Sequence, residues 1–204
     1  MVKGIYPVSL GFVKAFLIES GNKLVLVDTG SKPDDSQIIL SQVKSLGKEP
    51  KDIELCVITH RHGDHVGSLK ALKDACGFKI ASHIDEAESI TTATRVAVDL
   101  KLKDKERLPQ AEGIIAVHVP GHTKGNIALY LPEKKTVVAG DTIFADDQSN
   151  LACPPTKYCE DVDMAAKEIR KLLDLDFDAL FVAHGKDVPD GAKAKVKALV
   201  SGKK

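Results

Sequence analysis

Aromatic residues make up only 4% of this chain of 204 residues, and that scarcity leaves no platform of rings on which the bases of a single-stranded nucleic acid would stack. An excess of one charge is missing as well. Lysine plus arginine and aspartate plus glutamate number 29 each, a formal net charge of zero, so no global field draws the chain to nucleic acid or to an anionic membrane. No apolar run approaches the roughly 20 residues that a membrane helix needs. The apolar opening from Ile5 to Ile18 is broken by Pro7 and Lys14, has no basic leader before it and no small-residue cleavage site after it, and reads as a strand rather than an export signal. Cysteine is sparse: Cys56, Cys76, Cys153 and Cys159 show no Cys-x-x-Cys spacing and read as free thiols in a reducing, cytoplasmic compartment. Cys56 lies within an apolar run and reads as a core residue, whereas the sequence neighbours Cys153 and Cys159 leave a bridge or a metal open.

What the chain does have is 43% hydrophobic residues, enough for a substantial core and a globular enzyme. It also has one dense stretch, Thr59-His60-Arg61-His62-Gly63-Asp64-His65-Val66-Gly67, which gathers three of the seven histidines around a carboxylate. Neutral imidazole and carboxylate donate lone pairs to Zn²⁺, Fe²⁺ or Mn²⁺, so the stretch reads as a metal cradle. The β-branched run Ile53 to Ile58 before it predicts a buried strand, and Ser68 onward predicts a helix to Ala75. The cradle is then a turn between two rigid elements.

The same arrangement recurs along the chain. Gly11 to Ile18 and Leu24 to Val27 predict a hairpin turning at Ser20 to Lys23, and the second strand ends at Asp28. Pro33 to Leu46 has helical spacing, with Asp34 as cap and Gly47 as stop. Phe78 to Ser82 predicts a strand ending near His83, which reads as a surface residue at the strand end rather than a ligand, with a place lining the site left open. The charged stretch from Asp85 to Glu112 reads as helix plus loop and as a candidate lid, with Lys101 to Arg107 as a solvated face. Further strands place His122 in a glycine-flanked turn before Ile127 to Leu131, Asp141 after Thr136 to Gly140, and His184 after Ala179 to Ala183. His118, inside a strand, reads as packed or hydrogen-bonded in the sheet. Helices are predicted around Met164 to Leu173 and over Pro189 to Val200. Leu24-Val-Leu-Val-Asp28 is similar to Val137-Val-Ala-Gly-Asp141, and Cys56-Val-Ile-Thr-His60 to Leu180-Phe-Val-Ala-His184. The chain therefore reads as a single domain of 1–204 made of two pseudo-symmetric halves, about 1–110 and 111–204, with a two-sheet α/β architecture.

Asp28, His60-x-His62-x-Asp64-His65, His122, Asp141 and His184, taken in that order, resemble the metallo-β-lactamase superfamily and its glyoxalase II-like branch in particular. The resemblance covers nearly the whole chain and implies an αβ/βα four-layer sandwich, two facing mixed sheets with helices outside and metals at one edge. It implies that His60, His62 and His122 bind one metal, that Asp64, His65 and His184 bind a second, and that Asp141 bridges them. Asp28 and Thr59 then orient ligands, and Asp64 is also placed to hydrogen-bond a hydroxide or shuttle its proton. Chemistry agrees, because three imidazoles leave a tetrahedral metal one position for water, and a second metal about 3.5 to 4 Å away shares that water as a bridging hydroxide. Zinc suits the set first, with iron or manganese also suited.

Branches within the superfamily narrow the expectation. Asp141 stands where one β-lactamase group carries cysteine, and the second motif lacks the glutamate of flavodiiron proteins. Only about twenty residues follow His184, against the glutathione-binding helical extension of long glyoxalase II. The expected activity is thus a dinuclear hydrolase acting on a small thioester, ester or lactone, with no nucleic-acid or membrane partner and homo-oligomerisation left open. Selectivity is expected in the segments 85–112 and 146–160. Two alternatives stay open. One is a persulfide dioxygenase-like oxidoreductase holding a single ferrous iron on His60, His62 or His122, and Asp141. The other is a scaffold that keeps metal for structure.

Overall fold

The apolar runs at the start of the chain pair with their sequence neighbours. In the computed structural model, which describes residues 2–202, Ile5–Ser9 (β1), Lys14–Ser20 (β2) and Lys23–Val27 (β3) form consecutive antiparallel pairs. The stretch from Ile5 to Ile18, read as one strand, is therefore two. The N–H of Leu10 donates to the Val13 carbonyl at 2.9 Å and closes the reversal between them, a local bond that an apolar pattern does not announce. Ser20 pairs with Lys23, which leaves Gly21-Asn22 as a two-residue turn. Ala15 to Ile18 and Leu24 to Val27 are buried at every position, the pattern of strands covered on both faces.

Beyond β3 the pairings turn parallel. Asp35–Ser45 (α1) crosses to Ile53–Val57 (β4), then Gly63–Val66 (α2) and Leu69–Cys76 (α3) lead to Lys79–His83 (β5), and Ile84–Thr94 (α4) leads to Leu100–Leu102 (β6). The six strands lie in the order β1-β2-β3-β4-β5-β6, parallel from β3 onward, because a parallel return needs a crossover of helix length. α1 buries Ile39 and Val43, α3 buries Leu69 and Leu72, and α4 buries Ala87 and Ile90. Asp34 precedes α1 but its side chain makes no capping bond. Asp35 satisfies the turn instead, accepting from the backbone N–H groups of Ser31 and Lys32 at 2.7 and 3.1 Å. In the segment from Asp85 to Glu112, α4 matches the expected helix, whereas the edge strand β6 stands where a loop was expected.

These elements form one compact unit, Lys3–Leu102, and the packing divides between Leu102 and Lys103. In the second unit Ile115–His118 (β7), Ile127–Leu131 (β8) and Thr136–Val138 (β9) pair antiparallel in turn. Phe144–Ala145 (β10) and Leu151–Ala152 (β11) make a small separate hairpin. Val162–Glu168 (α5) runs on as a 3-10 helix over Ile169–Asp174, and Ala179–Phe181 (β12) returns parallel to β9 before Ala192–Val200 (α6). Ala165 is buried, and Ile169 and Leu172 face the core of this unit, with Val117, Val137, Leu180 and Val196 among the residues they join. Among the described residues no helix is long and apolar enough to cross a membrane.

Each sheet contains the same run of pairings. β2-β3-β4 and β8-β9-β12 are both antiparallel and then parallel. In each, the middle strand leads to an aspartate, Asp28 or Asp141, and the parallel strand leads three residues on to a histidine, His60 or His184. The carboxyl ends of parallel strands are where α/β sheets present ligand-binding side chains, since the chain leaves the sheet there with its polar groups unengaged by the ladder.

Candidate metal centre

In the first unit the histidine stretch starts where β4 gives out. Thr59, His60 and His65 are wholly buried, a placement that polar side chains tolerate only when bonded or ligated. Asp28, also wholly buried, organises them. One of its oxygens accepts the Thr59 N–H at 2.8 Å, and the other accepts the Thr59 hydroxyl and the Nδ1–H of His65, each at 2.8 Å. With Nδ1 so engaged, the donor left to His65 is Nε2, which lies 3.9 Å from an Asp64 oxygen. His62 precedes α2 in extended conformation, and the His65 N–H closes the turn on the His62 carbonyl at 2.9 Å. The cradle is thus partly helical rather than a plain turn. The His60 ring stands edge-on to His62 with centroids 4.6 Å apart, and 4.1 Å from His65.

The close seat of this turn explains Gly67. The Gly67 N–H donates to the Gly30 carbonyl at 2.7 Å, and a Cβ there would lie 2.1 Å from the backbone carbon of Ser31. Only glycine permits that approach. His83 differs from expectation: it is buried, and its Nδ1 accepts the Asp85 N–H at 3.3 Å as the cap of α4. The tight step from β5 into α4 leaves it no path to the surface.

In the second unit the acidic and imidazole groups converge on Asp141. One carboxylate oxygen lies 3.2 Å from His122 Nε2, and the other lies 3.3 Å from His184 Nε2. Asn126 ties the His122 loop to the Asp141 segment, its Nδ2 donating to the Val119 carbonyl at 3.0 Å and to the Thr142 hydroxyl at 2.8 Å. His118 stands apart, its Nε2 bonded to the Lys124 carbonyl at 2.9 Å across the turn. Two neighbours join them, Phe144 without any sequence signal and Cys159 with only the open reading of its thiol. The Phe144 ring stacks on His184 at 4.7 Å and 8°, and Cys159 Sγ lies 3.8 Å from His122 Nδ1. The chain after His184 presses close as well: the Ala145 N–H donates to the His184 carbonyl at 3.1 Å, and a Cβ at Gly185 would meet the Ala145 oxygen at 1.7 Å.

All four cysteines are free. Burial pushes the Cys56 thiol well up, with the Asp28 charge adding to it, and raises Cys76 to about 11. Burial also raises Cys153 and Cys159.

The donors in each unit are suited to divalent ions of the zinc type. They are imidazole nitrogens and carboxylate oxygens, two of the histidines are oriented by partners on the opposite ring atom or face, and the one cation in the motif, Arg61, is bonded to Glu86. Asp28, Thr59, His60, His62, Asp64 and His65 belong to the first unit, and His122, Asp141 and His184 to the second.

Comparison with known proteins agrees with the family resemblance. The chain is 22% identical to the probable metallo-hydrolase YflN of Bacillus subtilis over 90% of its own length and 84% of that protein. It is 40% identical to a hydroxyacylglutathione hydrolase of Pseudomonas aeruginosa over 44% of its length, and spans 33% of that relative. A metallo-β-lactamase of Cronobacter sakazakii has the same fold, with a TM-score of 0.77 at 18% identity over 98% of this chain and 88% of that one. The metallo-beta-lactamase superfamily model matches residues 8–184, and the chain belongs to that superfamily.

Proposed function

We propose that this metal-dependent hydrolase holds two divalent ions, zinc first among them, and cleaves a small thioester, ester or lactone. The observation that carries the reading is Asp141. A single carboxylate turns one oxygen to His122 and the other to His184, at 3.2 and 3.3 Å, and a carboxylate so divided between two imidazole Nε2 atoms is suited to bridging two ions. His60, His62 and His122 are assigned to one ion, and Asp64, His65 and His184 to the other, with Asp141 shared. The Pseudomonas relative is named for an acyl-glutathione, which is a thioester, and the acyl-transfer class is carried over from it.

Bound ions of this kind polarise a carbonyl and lower the pKa of water toward about 7. The chain supplies the rest. Asp28 holds His65 through Nδ1 so that Nε2 faces the ligand side. Thr59, bonded to Asp28 through both its N–H and its hydroxyl, fixes the peptide from which His60 projects. Asp64, partly exposed beside His65, takes up the proton released by the attacking water. No serine or cysteine nucleophile is required.

Metal analysis of freshly isolated protein, with a panel of thioesters, esters and lactones and an oxygen electrode, tests this. Two ions per chain and hydrolysis without oxygen uptake are expected. Stoichiometric single iron with oxygen consumption on a persulfide would replace the hydrolase by a dioxygenase-type oxidoreductase. A His60→Ala variant should lose metal and turnover together.

A further inference from the structure

Glu86 is a charged residue that the proposed chemistry does not use, and it is wholly buried. It lies in the first turn of α4, one residue from Ala87 and four from Ile90 on the buried face of the helix. A carboxylate without water needs donors, and Arg61 supplies donors to both of its oxygens. Oε2 accepts the Arg61 backbone N–H at 2.9 Å and an Arg61 guanidinium N–H at 3.3 Å, and Oε1 accepts the same guanidinium nitrogen at 3.1 Å.

The position of Arg61 gives these bonds their meaning. It is the spacer between His60 and His62, so its N–H belongs to the peptide that leaves His60. Fixing that peptide sets the direction in which the His60 side chain emerges and the start of the step to His62. The guanidinium has a separate effect, since it neutralises the buried carboxylate. The helix that offers Glu86 is itself anchored by His83 at its N-terminus, so the acceptor is presented from a rigid element 25 residues away in sequence. The bond to the backbone N–H ties the carboxylate to the motif's own main chain, which a bond to the guanidinium alone would not do.

We propose that Glu86 is a positioning residue for the His60-x-His62 pair and acts through the main-chain N–H of Arg61. The role rests on the metal assignment above. Outer groups that orient metal ligands typically contribute about 10- to 100-fold to metal affinity.

Two double variants separate the backbone bond from the ion pair. Arg61→Met with Glu86→Gln removes both charges and keeps a carbonyl acceptor for the position-61 N–H. Arg61→Met with Glu86→Met removes the acceptor too and buries no charge. After chelation, each full-length chain is titrated with Co²⁺ and followed by its visible absorption. The glutamine double variant is expected to load within about threefold of wild type. The methionine double variant is expected to lose about 10- to 100-fold in affinity for one of the two ions, with an altered spectrum. Equal loading by the two would overturn the role of Glu86 while leaving the metal reading intact. Wild-type protein that takes up no Co²⁺ would overturn both. Hydrogen exchange on the wild type decides the matter if a variant does not fold. The Arg61 amide is expected to be protected to the same degree as the β4 amides, and exchange at the rate of an open loop would overturn the proposal.

Discussion

Asp28 accepts the Nδ1–H of His65 at 2.8 Å across 37 residues of sequence, and through this contact the end of β3 decides which nitrogen of His65 faces outward. The same carboxylate takes two bonds from Thr59. Replacing it by asparagine keeps the shape and leaves one acceptor oxygen for three donors. Asp28→Asn should therefore weaken binding of one ion by about 10- to 100-fold and cost about 1 to 3 kcal/mol of stability, since buried donors lose their partner. Isothermal titration with Zn²⁺ and urea unfolding of the metal-free protein measure the two effects. A variant with unchanged affinity would remove Asp28 from the orienting role.

Phe144 lies nearly parallel to His184 with ring centroids 4.7 Å apart, while His184 itself is only half-buried. The stack restrains the plane of that ring, and Asp141 faces its Nε2. Phe144→Leu should forfeit about 0.5 to 1.5 kcal/mol of aromatic contact and, on the proposed assignment, loosen the ion assigned to His184 more than the other. Phe144→Tyr should preserve both. Stepwise Co²⁺ titration distinguishes a selective loss from a general one, and equal weakening of both ions would contradict the assignment.

The thiols should react in an order set by burial. Cys153 is exposed, Cys76 is partly covered, and Cys56 is wholly buried beside the Asp28 charge. Thiolate is the reactive form, and Cys76 reaches half-ionisation only at about pH 11. Timed alkylation of native protein, read by peptide mass spectrometry, should label Cys153 first and Cys56 only on unfolding. Early labelling of Cys56 would show that β4 opens far more readily than its packing implies.

The surface pair Lys23–Asp52, 2.7 Å apart, gives a small pH term of known sign. The hydrogen bond from Lys23, followed by the Glu49 N–H, holds the Asp52 carboxyl below its ordinary 3.8. A carboxyl whose value is lower in the folded than in the unfolded chain stabilises fully above the unfolded value, and that stabilisation fades as the pH falls through the folded one. Asp52→Asn should make the acid limb of the stability curve shallower below about pH 4 and leave it unchanged near neutrality in high salt. Urea midpoints measured over the acid range, with and without salt, check the direction.

Much of this was readable along the chain. Apolar β-branched runs mark the strands because burial selects their composition, and polar residues at the strand exits mark candidate site residues because the ladder ends there. Asp28, His60, Asp141 and His184 were found in that way, and the crowding of His60, His62, Asp64 and His65 declared a donor set without help from neighbours. Local pattern misled where a single hydrogen bond or tight step mattered: the Leu10 to Val13 reversal split the opening strand, Asp35 displaced Asp34 in bonding the turn before α1, and the short path from β5 to α4 buried His83.

The sequence by itself determined the donor chemistry and the order of the motifs, because these depend on residue type and spacing. The tertiary structure alone decided the partners of those donors. That Asp28 meets Thr59 and His65 follows from the parallel register of β3 and β4, that Glu86 meets Arg61 follows from the placement of α4, and that Phe144 covers His184 follows from β10 running past the end of β12. A hydrogen bond or a ring stack needs two groups within a few ångströms, and for residues 25 or more apart in sequence only the packing of whole strands and helices sets that distance.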